Sequence, residues 1–310
     1  MKKICVVGSG PIGESTAQIL AQRELCQEIV LIANHEDLVE AAVVDLLQSA
    51  ALLGFDTRVR GSTDMNAVVG ADAVIISAGT PEPARLETDP AIDASAGLVA
   101  AAARAAGALA PEALLLVVSD PAPLMTHIAW HQSGLERERV IGVAGALDAA
   151  RMASLIAIEA GLSVRDVRAL VMGRYGDTVL PLPRYSTISG IPVSEFLSEA
   201  AIERVLRRMR QGTVLPHRAI GNSVAPAEAV VALIDAVARN RSRILPAVCV
   251  LDGEYGETGV ALDVPAVIGG QGIEKIVELP LNVAEQQALH ASAGAVRADL
   301  ARLPPPYRSP

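Results

Sequence analysis

A chain of 310 residues with 51% hydrophobic residues is long enough for two domains with sizeable cores. Its formal net charge of −9 argues against a nucleic-acid partner, which needs a basic face. No uninterrupted apolar span reaches membrane length, because the longest stretch, 96–118, is broken by Arg104, Pro111 and Glu112; no membrane partner is expected. The N-terminal apolar run stops at Gly8, too early for a signal peptide. Cys5, Cys26 and Cys249 lie far apart without metal-ligand spacing, which suits reduced thiols of a cytoplasmic protein.

Residues 2–22 set the frame for the rest. The β-branched run Ile4 to Val7 suits a strand buried on both faces. It leads into Gly8-Ser9-Gly10-Pro11-Ile12-Gly13, a G-x-G-x-x-G pattern, and then into a helical stripe of Ala17, Ile19 and Leu20. In that context Gly8 permits the tight turn, Gly10 lets backbone approach a pyrophosphate, and Gly13 lets helix and strand pack closely. Pro11 fits the first helical turn, and the N–H groups there form an anion site. The expected cofactor is NAD or NADP, and the expected N-terminal architecture is a Rossmann-type α/β fold.

A second strand spans 28–32. The residue at its end faces the adenosine ribose in such a fold, where an acid binds the hydroxyls. Ala33 stands there instead; Asn34 or His35 is left to donate, and neither repels a 2′-phosphate. Helix 36–53 and strands 55–60 and 73–77 follow, the last ending in Ala78-Gly79 at the ligand crevice. The proline-rich segment 80–89, TPEPARLETD, reads as an active-site lid. Helix 90–107, strand 114–118, helix 123–133 and strand 140–143 continue the alternation, so the sheet should be parallel and doubly wound.

Beyond Ala144 the pattern changes to α+β. Helix 147–161 places Asp148 and Arg151 three residues apart on one face. Strand 167–172 leads into Gly173-Arg174-Tyr175-Gly176-Asp177. Helices 199–211 and 227–240 precede an antiparallel pair, 243–251 and 260–268. A closing helix over 282–301 has Leu289, Val296 and Leu300 inward, and the proline-rich end should be disordered. These boundaries divide the chain into 1–144, a dinucleotide-binding domain; 145–302, a substrate domain; and a tail, 303–310.

The motifs VVGSGPIG, VIISAGTP, VVSDP, VIGVAGALDAAR, GDTVLPLPRYSTISGIPV, LDGEYGETG and GGQGIEKIVELPL, in this order, resemble the lactate and malate dehydrogenases, especially the lactate-dehydrogenase-like malate dehydrogenases of bacteria. The resemblance spans residues 2–301. It implies a Rossmann domain followed by a lactate/malate-dehydrogenase-type α+β domain, hydride transfer by a nicotinamide cofactor, a small-molecule ligand, and a homodimer or homotetramer. In the family a histidine oriented by an aspartate moves the hydroxyl proton, an arginine grips the substrate carboxylate, and lid arginines polarise the carbonyl and read the far end of the substrate. Asp148 and Arg151 match the LDxxR aspartate and carboxylate-binding arginine.

Five positions depart from the family pattern. Tyr175 replaces the catalytic histidine, Glu82 and Thr88 replace the lid arginines, Asp120 replaces the asparagine of VSNP, and Ala33 replaces the ribose acid. Losing a general acid–base typically costs about 10²–10⁴ in rate, and truncating one partner of a buried charge pair about 2–5 kcal/mol. Together these changes predict a non-catalytic, ligand-binding or oligomer-forming relative without turnover of malate or lactate. The alternative is a retuned oxidoreductase on another 2-hydroxy acid, amine-bearing in one version, with Tyr175 and Asp148 catalytic. Arg151, Glu82, Arg85, Asp120 and Arg174 would then contact its substrate.

Overall fold

The computed structural model describes residues 1–79, 89–174, 178–210, 223–304 and 307, with the backbone alone at 89–91. Its first half is the expected parallel sheet. β1 (Lys3–Val7) pairs with β2 (Glu28–Ile32) on one side and β4 (Ala73–Ile76) on the other, all parallel. β3 (Arg58–Ser62) extends the β2 edge, while β5 (Leu114–Val117) and β6 (Val140–Gly142) extend the β4 edge. The inner strands read as near-continuous apolar runs because both faces are covered, and every residue of β4 is fully buried, whereas β3 at the edge, RVRGS, is largely exposed. Covering them are α1 (Pro11–Gln22), α2 (Glu36–Leu53), α3 (Asp89–Leu109) and α4 (Ala122–Ser133). The chain winds one way from β1 through β2 and β3 and the other way from β4 through β6, so a crevice opens at the carboxyl ends of β1 and β4.

Within α3, Ile92–Leu109 is long and apolar enough by composition to cross a membrane, which the sequence reading did not expect. Its buried side chains, Ala96, Val99, Ala100 and Ala103 among them, belong instead to the main core.

The second half continues the same sheet. β6 joins β12 (Arg243–Asp252) antiparallel at Gly142 and Val248. The sheet then runs through β13 (Thr258–Gly269), β8 (Val171–Gly173) and β9 (Val179–Pro181), with β14 (Gly272–Ile276) also on β13. The strand expected over 167–172 is two strands in different sheets. β7 (Val167–Arg168) joins β10 (Thr187–Ile188) and β11 (Ile191–Pro192), and β8 joins the large sheet. The break falls at Leu170, whose N–H donates to Ser186 Oγ at 3.2 Å and whose carbonyl accepts from Leu182 N at 2.9 Å.

α5 (Gly145–Ala160) and α6 (Glu199–Arg210) form a second core with β7 and β8 through Met152, Ile156, Val171, Val205 and Met209. α7 (Val224–Ala238) packs on α1, and Ser15 Oγ donates to Ser223 Oγ at 2.9 Å. α8 (Val283–Arg302) starts with a capping box between Asn282 and Glu285, and buries Leu289, Val296 and Leu300 as its sequence pattern predicts. The end of the chain differs from the disorder expected of it at two points: Leu303 is buried, and Tyr307 packs against the main core. Apolar burial explains both.

Candidate active site

The glycine loop connects β1 to α1 as expected. Gly8 has φ +115°, a conformation that L side chains rarely adopt, and its N–H donates to Ile32 O at 2.8 Å. A Cβ on Gly13 would stand 2.0 Å from Gly8 O, so only glycine allows α1 to start this close to the strand. A Cβ on Gly10 would meet nothing within 4 Å. That open space lies over the first turn of α1, where Pro11 has no N–H and no side chain caps the turn. The N–H groups of Ile12 and Gly13 therefore lack intrahelical partners and fit the anion of a dinucleotide. Ser119 Oγ donates to Ala78 O, tying the ends of β5 and β4 together beside exposed Gly79.

At the ribose end, Ala33 N donates to Ser62 O at 3.2 Å and holds β2 to β3 past the strand end. Asn34 and His35 are exposed, and His35 precedes α2 without capping it by its side chain. Nothing acidic stands at residues 33–35.

The substrate end is built on the first two turns of α5. Asp148, 3% exposed, accepts from Arg151 Nη1 at 2.9 Å. Burial raises Asp148 to about 6; Arg151 opposes the rise and Asp120 adds to it. Asp120 follows β5 and is open to the crevice, while the protein enclosing its other sides holds its carboxyl above the usual range against the pull of Arg151. Asp120 from the parallel half and Asp148 with Arg151 from the second half thus converge within electrostatic reach.

Glu82, Arg85 and Thr88 of the lid, and Tyr175, lie outside the described residues. Arg174 is described, and its Nη2 pairs with Asp299 of α8 at 2.7 Å. That ion pair ties Arg174 to α8. Conversely, the motif reading passed over Asp263 of β13, 2% exposed, whose Oδ1 accepts from Gly145 N at 2.6 Å. Its signal was present: β13 reads TGVALDVPAVIG, with one charge in an otherwise uncharged strand.

A pH dependence follows from Asp148. Its carboxylate form holds Arg151, and it is ionised above about pH 6. Turnover expressed as kcat/KM, which reports the free enzyme, should therefore rise with pH through about 6. Asp148→Asn should be slower and should lack that limb; a limb unchanged in Asp148→Asn would assign it to another group.

Sequence and structure comparisons agree with this geometry. Residues 2–142 match the family model of the lactate/malate dehydrogenase NAD-binding domain, and residues 145–303 that of the lactate/malate dehydrogenase α/β C-terminal domain. The malate dehydrogenase of Nitrosococcus oceani is 45% identical over 306 residues, 98% of each chain. That of Thioalkalivibrio sulfidiphilus is 44% identical over 98% of this chain and 100% of its own. The structure of malate dehydrogenase from Salinibacter ruber superposes with a TM-score of 0.91 at 33% identity over 97% of each chain. Full-length similarity to proteins named malate dehydrogenase overturns the non-catalytic reading drawn from Tyr175, Glu82 and Thr88, and it does not favour the amine-bearing alternative. The chain belongs to the lactate/malate dehydrogenase family.

Proposed function

We propose that this protein is an active malate dehydrogenase, interconverting malate and oxaloacetate with a nicotinamide cofactor. The observation that carries the reading is the Asp148–Arg151 pair at 2.9 Å, buried at the crevice in a chain 45% identical to a malate dehydrogenase along its length. Gly8, Gly10 and Gly13 with the first turn of α1 would hold the cofactor, which when bound supplies or accepts the hydride. Arg151 grips the substrate's carboxylate. Tyr175, at the histidine's place in the motif, donates the proton to the carbonyl oxygen during reduction, with Asp148 as its orienting partner. A phenol with an ordinary pKa of about 10 is protonated at neutral pH, which suits reduction and makes malate oxidation climb with pH.

The other departures fit the same reading. Desolvation pushes the Asp120 carboxyl above its ordinary range against the pull of Arg151, at the place where the family carries an asparagine amide. Arg85 is the one cation in residues 80–89, and it supplies the lid charge that reads the distal carboxylate of oxaloacetate. Steady-state assays with oxaloacetate and pyruvate test this. Oxaloacetate should be strongly preferred, whereas equal use of pyruvate would remove malate dehydrogenase as the reading.

Ala33 bears on cofactor choice. NAD loses the acidic ribose contact, a change on the order of 1–3 kcal/mol, and NADP meets no repelling charge. Discrimination between NADH and NADPH should fall below roughly hundredfold, about 2.7 kcal/mol. Fluorescence titration with both nucleotides decides it, and tighter rejection of NADPH would show that Ala33 does not set the preference. The protein further acts as a homo-oligomer in the cytoplasm. α2 leaves Leu38, Val44, Leu47 and Leu52 half or more exposed, Leu52 at 87%, which suits burial against a second copy. Light scattering in solution reads the assembly, and a monomer would refute it.

A further inference from the structure

We propose that Asp263 is a positioning residue of this site: from β13 it caps the start of α5, and so fixes where Asp148 and Arg151 stand relative to the end of β8. The inference rests on the malate dehydrogenase reading for its kinetic consequences but not for its geometry.

Four observations meet at Asp263. It is 2% exposed. It lies mid-sheet, registered with Val248 of β12 on one side and Gly173 of β8 on the other, and β8 leads directly into the segment carrying Tyr175. Its Oδ1 accepts the Gly145 N–H at 2.6 Å. α5 lacks any cap of its own, because Ala144 stands at the N-cap position and offers no side-chain acceptor; a carboxyl from another strand takes over that role. Gly145 completes the fit, since a Cβ there would fall 2.4 Å from Asp263 Oδ1 and 2.9 Å from Pro246 Cβ. Asp148 and Arg151 lie in the first two turns of the helix held this way, so a shift of its start displaces both.

Charge supports the same arrangement. Toward Asp263 stand Asp148, with Arg151 beyond it, from α5; the Cys249 thiol from β12; and the uncharged Gly173 from β8. Burial and the Asp148 charge hold the Asp263 carboxyl well above the carboxylate range, against the Gly145 N–H. Asp148 has the arginine beside it and Asp263 does not; Asp263 accepts from Gly145 through Oδ1.

The test compares Asp263→Asn with Asp263→Ala. Asparagine keeps a neutral acceptor of the same shape, so kcat near neutral pH should stay within about threefold of the parent. Alanine leaves Gly145 N–H without its acceptor, and kcat should fall on the order of 10–10²-fold, the scale of a small misplacement of reacting groups. A readout independent of turnover is ¹³C NMR of aspartate-labelled protein. Asp263 should titrate above the ordinary carboxylate range, and Asp148→Asn should lower the Asp263 midpoint. The Asp148 midpoint should hold in Asp263→Asn and move in Asp263→Ala. A purely structural role would lower melting temperature without moving that midpoint. Equal damage in both variants, an Asp263 midpoint within the ordinary carboxylate range, or an Asp148 midpoint indifferent to Asp263→Ala would overturn the proposal. Absence of oxaloacetate reduction in the parent protein would instead count against the functional reading, with the NMR outcome still deciding Asp263. Should Asp263→Ala not fold, Asp263→Asn and Asp148→Asn carry the test.

Discussion

Tyr175→Phe should cut kcat for oxaloacetate reduction by about 10²–10⁴, the usual contribution of a general acid–base, with KM for oxaloacetate little changed. The substitution removes one hydroxyl and keeps the ring, so its effect reads proton transfer rather than packing. Tyr175→His should keep activity and move the optimum for malate oxidation toward neutral pH, because imidazole titrates near 6.5 and phenol near 10. Full activity in Tyr175→Phe would mean that another group moves the proton, and the match of Tyr175 to the family's histidine would lose its mechanistic content.

Arg151→Leu should act through binding. Arg151 pairs with the buried Asp148 at 2.9 Å, and truncating one partner of such a pair costs about 2–5 kcal/mol, or roughly 30- to 5,000-fold in kcat/KM. Two losses add there: the substrate carboxylate loses its cation, and Asp148 loses the charge that opposes its upward shift. The acid limb near pH 6 should therefore move to higher pH in Arg151→Leu. A large fall in kcat/KM without movement of that limb would confine Arg151 to the substrate and separate it from Asp148.

The parallel half of the fold was legible because its signals are local. A β-branched run, a glycine turn and a helical stripe follow one another, and α2 has the bounds its pattern predicts, Glu36–Leu53. The second half was harder to read. β7 and β8 form one apolar run in sequence, yet Ser186, sixteen residues away, breaks it at Leu170. β10 and β11, two residues each, are too short to show a period. Asp148 and Arg151 were found from their spacing and motif; Asp263 was missed because its partner, Gly145, lies 118 residues away.

The chemistry was misjudged for a different reason. Costs for Tyr175, Glu82, Thr88 and Asp120 were summed as though each struck an unchanged site, but effects at neighbouring positions do not add. Desolvation shifts the Asp120 carboxyl above its ordinary range, while Arg151 pulls it down. A phenol is a poor base near neutral pH but remains a proton donor there.

The most direct measurement offers the protein oxaloacetate and NADH deuterated at the transferring C4 position, then examines the product by mass spectrometry. Malate carrying deuterium at C2, formed with kcat on the order of 1–10³ s⁻¹ and lost in Tyr175→Phe, is the predicted result. Intact NADH and unconverted oxaloacetate, with either cofactor and with the protein folded, would contradict the assignment.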